Sequence, residues 1–161
     1  MTGGVTPRAE PDGERYVIVR VGVGWYAVPV VEVREIVLVP PVTEVPGAGA
    51  GVCGVVLVHG AVMTLLDARA ALGEPDGVGD ARARILAVEH AGERLGLRVD
   101  EVARIVHLSP AQIEPAYALT GAPRDHVLGL ARAPALPGDG GAIVLDVAPL
   151  VRTVLRAAHF S

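Results

Sequence analysis

The 161-residue chain contains neither lysine nor asparagine. All 14 of its basic residues are arginine, the mark of a GC-rich coding sequence rather than of a function. Without lysine, Schiff-base chemistry and the phosphate-holding lysine of a Walker-A loop are excluded. Serine occurs only at Ser109 and Ser161, neither in the G-x-S-x-G setting of a hydrolase nucleophile. Cys53 is the single cysteine, so no disulfide forms within the chain, as suits a reducing compartment. Aromatic residues make up only 3% of the sequence, so the core must be built from Val, Leu, Ile and Ala. The abundance of valine favours strands. A net charge of −4 offers no basic field to nucleic acid or anionic lipid.

One uncharged stretch, Val45 to Leu66, is long enough to span a bilayer. Five glycines, Pro46 and His59 interrupt it, so buried strands are expected and direct membrane insertion is not. The opening residues lack a basic-then-apolar signal pattern, and a cytoplasmic location is expected.

What is present is organised around Gly54 to Arg69, GVVLVHGAVMTLLDAR. Two apolar runs of strand length flank the His59-Gly60 break, which predicts a β-hairpin. Asp67 then stands at an N-cap position before Ala68 to Leu72, and Gly73 suits the helix stop. Residues 1–14 are polar, rich in Gly and Pro, and expected to be a disordered tail. The domain is expected over 15–158. Arg15 to Val21 alternates as a strand and Trp25 to Val30 returns from it. Further strands are expected at Ile85 to Glu89, Arg94 to Val99, Val127 to Ala131 and Ala142 to Leu145, with residues 112–126 irregular. Asp146 is expected to cap a C-terminal helix reaching about Ala158.

An internal repeat emerges when residues 24–46 are laid on 93–115, an offset of 69 at which seven of 23 positions coincide. Val30, Glu32, Val33, Ile36, Val37, Pro41 and Pro46 match Val99, Glu101, Val102, Ile105, Val106, Pro110 and Pro115. Leu66-Asp67 before one helix recurs as Leu145-Asp146 before another. Two halves dividing near 74–82, each of about five strands, predict a mostly β fold of two small interlocked barrels, which removes exposed sheet edges.

The Gly54–Arg69 stretch resembles the central motif of the CheW family of chemotaxis adaptors, roughly G-V-x-N-x-R-G, three residues, then P-x-x-D-L-R. Gly54, Val55, Gly60, Asp67 and Arg69 match at that spacing. Leu57, His59, Thr64 and Ala68 stand where the family has Asn, Arg, Pro and Leu. Val33-x-Glu35-Ile36 and Val99-Asp100-x-Val102 resemble two further family elements, and the likeness runs from about Arg15 to Leu155. The resemblance implies a CheW-like fold, two five-stranded SH3-like barrels sharing one core, with short helices after strands and a C-terminal helix. It implies a non-enzymatic scaffold that joins the regulatory domain of a CheA-type histidine kinase to the cytoplasmic tips of chemoreceptors, with no cofactor. The partner-contacting residues it suggests are Val33, Glu35, His59, Gly60, Val99 and Val102. Asp67 and Asp146 remain structural caps. Replacement of a permanently charged Arg fork by His59 leads us to expect altered, pH-sensitive contacts there.

The other constellations are weak. Gly49-Ala50-Gly51-Val52-Cys53-Gly54 fits the dinucleotide pattern G-x-G-x-x-G, but it is expected to lead into a strand rather than a helix. The five histidines lack metal-site spacing and are expected on the surface, and Cys53 is expected to be packing. No catalytic or metal-ligating set emerges. Two alternatives stand beside the adaptor. One is a diverged relative that binds kinase without receptor, as a competitor or in a motility pathway. The other is a small-molecule-binding barrel.

Overall fold

The computed structural model describes residues 13–75, 81–118 and 125–159; of the tail expected over 1–14, residues 1–12 lie outside them and Glu14 already belongs to the first strand, and the centre of the boundary between halves also lies outside them. The chain opens with an antiparallel hairpin of β1 (Glu14–Val21) and β2 (Gly24–Pro29). A 3-10 turn at Val30–Glu32 leads to β3 (Glu35–Leu38). The central stretch forms the predicted hairpin of β4 (Val52–Val58) and β5 (Ala61–Asp67), followed by α1 (Ala68–Leu72). The Asp67 side chain accepts from the Arg69 backbone N at 3.0 Å, and Gly73 closes α1 in the left-handed region at φ +72°.

The second half begins with the hairpin of β6 (Arg84–His90) and β7 (Glu93–Val99), followed by β8 (Glu101–Leu108). Short β9 (Ile113–Pro115) interrupts the region expected to be irregular; it is three residues long, below what alternation can reveal. β10 (Val127–Arg132), β11 (Gly141–Leu145) and α2 (Val147–His159) complete the fold. Asp146 precedes α2, and its carbonyl accepts the first helical bond from Leu150 N at 3.3 Å.

One sheet runs β8-β1-β2-β11-β10-β9 and the other β3-β6-β7-β5-β4. Each sheet therefore takes its first hairpin from the opposite half of the chain. The hairpin β1–β2 is inserted between β8 and β11, just as β6–β7 is inserted between β3 and β5. The correspondence is detailed: β2 pairs parallel with β11, and β7 pairs parallel with β5. Both β4 and β10 carry a register shift just before a glycine, Gly54 and Gly129. At both glycines a strand crosses so closely that an added Cβ would collide with a carbonyl oxygen, Thr43 O in one barrel and Glu114 O in the other. The repeat visible in sequence is thus a pseudo-twofold exchange of hairpins.

Among the described residues, three cores follow from this arrangement. Val17, Val19 and Val21 of β1, Leu86 and Val88 of β6, and Leu150, Val151 and Val154 of α2 belong to a central core that joins the two sheets. The opposite face of β1, Tyr16 and Ile18, fills the first barrel with Val106, Ala131 and Val144. Val56, Met63, Leu65, Ile85 and Ala87 fill the second. Alternation along β1 therefore separates two interiors, not a core from solvent. With few aromatics, stability rests on many aliphatic side chains, each contributing about 1.5–3 kcal/mol when fully buried.

Candidate functional site

The β4–β5 hairpin turns on His59 and Gly60, at φ +50° and +81°. Two successive left-handed residues make the mirror-image turn whose twist matches a two-residue hairpin. Ala91-Gly92 repeats it between β6 and β7, at φ +53° and +82°. Leu57 and Val62 are cross-strand partners beside the turn and are 62% and 72% exposed. An exposed aliphatic pair on a hairpin is material for a contact surface.

Beside this pair lies a small charge cluster. Glu35, first residue of β3, places one carboxylate oxygen 2.5 Å from His59 Nε2. The other carboxylate oxygen lies 3.7 Å from Nη1 of Arg94 on β7. Arg34 is turned elsewhere, donating to Glu89 at 2.9 Å. Two of the residues singled out in the sequence, Glu35 and His59, are thus brought into direct contact. Arg94 completes the cluster without having been marked by any motif.

A second cluster is buried. Arg69 Nε lies 3.2 Å from Asp67 Oδ1, and its Nη2 lies 3.9 Å from Asp100 Oδ1. Arg98 Nη1 donates to Asp100 Oδ1 at 3.0 Å. The second Asp100 oxygen accepts from Gly22 N at 2.7 Å, and Asp100 N donates to Arg20 O at 2.9 Å. Asp67, Arg69 and Asp100 come from motifs far apart in sequence, yet they form one network tying α1 to the exchanged hairpin β1–β2. Glu74 adds a second tie, accepting from Val23 N at 3.2 Å and from the Tyr26 hydroxyl at 2.7 Å. Burial first, then the bond to Glu74, raises the Tyr26 hydroxyl well above its ordinary value of 10.0.

The remaining sequence-marked residues separate clearly. Val99 is 2% exposed and belongs to the central core, so it offers no surface to a partner. It shares the inward face of β7 with Leu95 and Leu97, at the two-residue period of a strand. Val33 and Val102, equivalent in the repeat, are half-buried and pack against that same core. His126, expected at the surface, is buried at 3% exposure. Cys53 is partly buried against the second barrel's core, and burial raises its thiol to about 11. The Gly49–Gly54 loop enters strand β4, so it lacks the helix N-terminus a phosphate needs. Among the described residues, no three His, Cys, Asp or Glu side chains converge as a metal site. No helix among them is long and apolar enough to cross a membrane.

Comparison with known proteins gives a consistent result. Residues 15–155 match the family model described as CheW-like domain. The chain is 34% identical over 103 residues to the Chemotaxis protein CheW of Rhizobium meliloti (strain 1021), covering 64% of this chain and 66% of that one. It is 29% identical over 104 residues to the Chemotaxis protein CheW of Bacillus subtilis (strain 168), covering 65% of this chain and 67% of the relative. These alignments span about two thirds of the relatives' length. The crystal structure of the scaffolding protein TtCheW from Thermoanaerobacter tengcongensis matches with a TM-score of 0.74 at 23% identity, covering 85% of this chain and 91% of that chain. The architecture described above is therefore that of the two-barrel CheW-like fold.

Proposed function

The chain belongs to the CheW-like domain family, and from that premise we propose that it is a chemotaxis-type signalling adaptor. It joins the regulatory domain of a CheA-type histidine kinase to the cytoplasmic tip of a chemoreceptor, by contact alone and without a cofactor. The observation that carries this reading is the coincidence of a CheW-like match over 15–155 with the exposed aliphatic pair on the β4–β5 hairpin. Leu57 and Val62 meet an apolar patch on a homologous barrel, while the groove between the barrels takes a receptor helix. Glu35, His59 and Gly60 border the first contact. Val33 and Val102 pack against the central core behind these surfaces, and Val99, buried in that core, has no part in either contact. The protein acts in the cytoplasm and reaches the membrane through its receptors.

The departures at Leu57, His59 and Thr64 favour a second reading, a relative that binds the kinase without the receptor. Calorimetry against a CheA regulatory domain and a receptor-tip fragment from the same genome separates the two. Micromolar binding to both is expected. Binding to the kinase alone would favour the second reading, and binding to neither would overturn both.

A further inference from the structure

The two barrels close their seams differently. In the first, β9 pairs with β10 over three residue pairs. In the second, the described residues show one bridge, Thr43 with Val55, made by two backbone bonds of 2.9 and 2.8 Å. β3 otherwise pairs with β6 alone, and β4 with β5 alone. Away from that bridge, the edges β3 and β4–β5 meet through side chains, Glu35 reaching His59 in the turn.

The equivalent tie in the first barrel shows what is distinctive here. The repeat places Arg104 of β8 at the position of Glu35. Arg104 Nη1 donates to the carbonyl of Ala135, in the connection between β10 and β11, at 3.0 Å. A guanidinium bonded to a carbonyl keeps its charge and its bond at every physiological pH. An imidazole bonded to a carboxylate keeps at most a neutral N–H bond once its charge is gone, since histidine in general changes charge between pH 5 and 8.

We propose that Glu35–His59 is a proton-operated latch on the seam of the second barrel, closed when His59 is protonated and loosened when it is neutral. The groups facing the pair define its working. Glu35 supplies the negative partner from β3, and Arg94 from β7 competes for that carboxylate at 3.7 Å. Glu89, cross-strand from Arg94, is already engaged by Arg34. When His59 loses its charge, Arg94 becomes the only cation beside Glu35 within the cluster. The neutral ring keeps at most one N–H for Glu35, so the contact loses its charge assistance, and the hairpin carrying Leu57 and Val62 opens more readily. This inference does not depend on the adaptor reading, because the latch and its test lie within the isolated chain.

Amide hydrogen exchange, corrected for intrinsic rates, tests it at pH 6 and pH 8. In the native protein, protection over residues 35–43 and 55–62 is expected to be at least threefold higher at pH 6. Residues 101–108, on the Arg104 side, should be unchanged. His59→Gln and Glu35→Gln should each abolish the difference, and His59→Arg should keep high protection at both pH values. A proton titration of the His59 ring by NMR on the unmodified chain gives a second readout, with the Glu35 carboxyl carbon expected to shift at the same midpoint. Equal protection at the two pH values, or a Glu35 signal indifferent to His59 titration, overturns the latch.

Discussion

Arg69 stands where the resemblance placed a signature residue, and its role is visible at the atomic scale. Its side chain is only 7% exposed and lies between the carboxylates of Asp67 and Asp100. A cation removed from such a site leaves buried negative charge uncompensated, at a cost of about 3–5 kcal/mol. Arg69→Ala should therefore lose stability of that order in urea denaturation; a loss below about 1 kcal/mol would show the network to be ornamental. Tyr26 and Cys53 set an alkaline limit. Both protons are held more tightly in the folded state, so the stability they contribute is complete below the ordinary values, 9.0 for the thiol and 10.0 for the hydroxyl. It is lost as pH rises beyond them. Melting temperature should fall between pH 9 and 11, less steeply in Tyr26→Phe, which in turn forfeits about 1 kcal/mol at neutral pH with its hydroxyl bond. Identical slopes for the two proteins would sever the link to Tyr26. The sequence made Asp67 legible as a cap and Arg69 as a motif position. It could not show that Asp100, thirty-odd residues away, shares their site, because spacing along a chain carries no distance across it.

At the scale of elements, hairpins and caps were legible because turn chemistry is local. His59-Gly60 predicted its two-residue turn, and Asp67 predicted the start of α1. Exposure was not legible. Both faces of β4 and β5 are apolar, so alternation gives no hint that Leu57 and Val62 point to solvent while Val56 and Met63 are buried. The equivalent pair in the other barrel is Arg132 and Gly141, cross-strand partners on β10 and β11. That contrast separates stability from recognition. Leu57→Ser with Val62→Thr removes little buried surface and should leave stability within about 0.5 kcal/mol of the parent. Affinity for the kinase regulatory domain should fall at least tenfold in calorimetry. Unchanged affinity would move the contact away from this hairpin.

At the scale of the whole molecule, the repeat was legible and the exchange was not. An offset of 69 announces two similar halves, and edge-free barrels are the natural way to fold them. Periodicity tells which face of a strand is buried but not which strand lies beside it. In the structure β1–β2 completes the sheet of the second half, and β6–β7 completes that of the first. Asp100 and Glu74 then fasten the exchanged β1–β2 hairpin from β7–β8 and from the end of α1. A half on its own would keep three strands of the second sheet without the hairpin that belongs between β3 and β5, leaving unpaired edges and an open core. The central core fares no better, since Val17, Leu86 and Leu150 come from both sides of the boundary. A chain divided between Pro75 and Ala81 should therefore give two fragments with little strand signal in far-ultraviolet circular dichroism. Mixed in equal amounts, they should regain it in a single cooperative transition whose midpoint rises with concentration. If either fragment folds alone with a sharp melting transition, hairpin exchange is a decoration on two independent barrels rather than the condition for forming them.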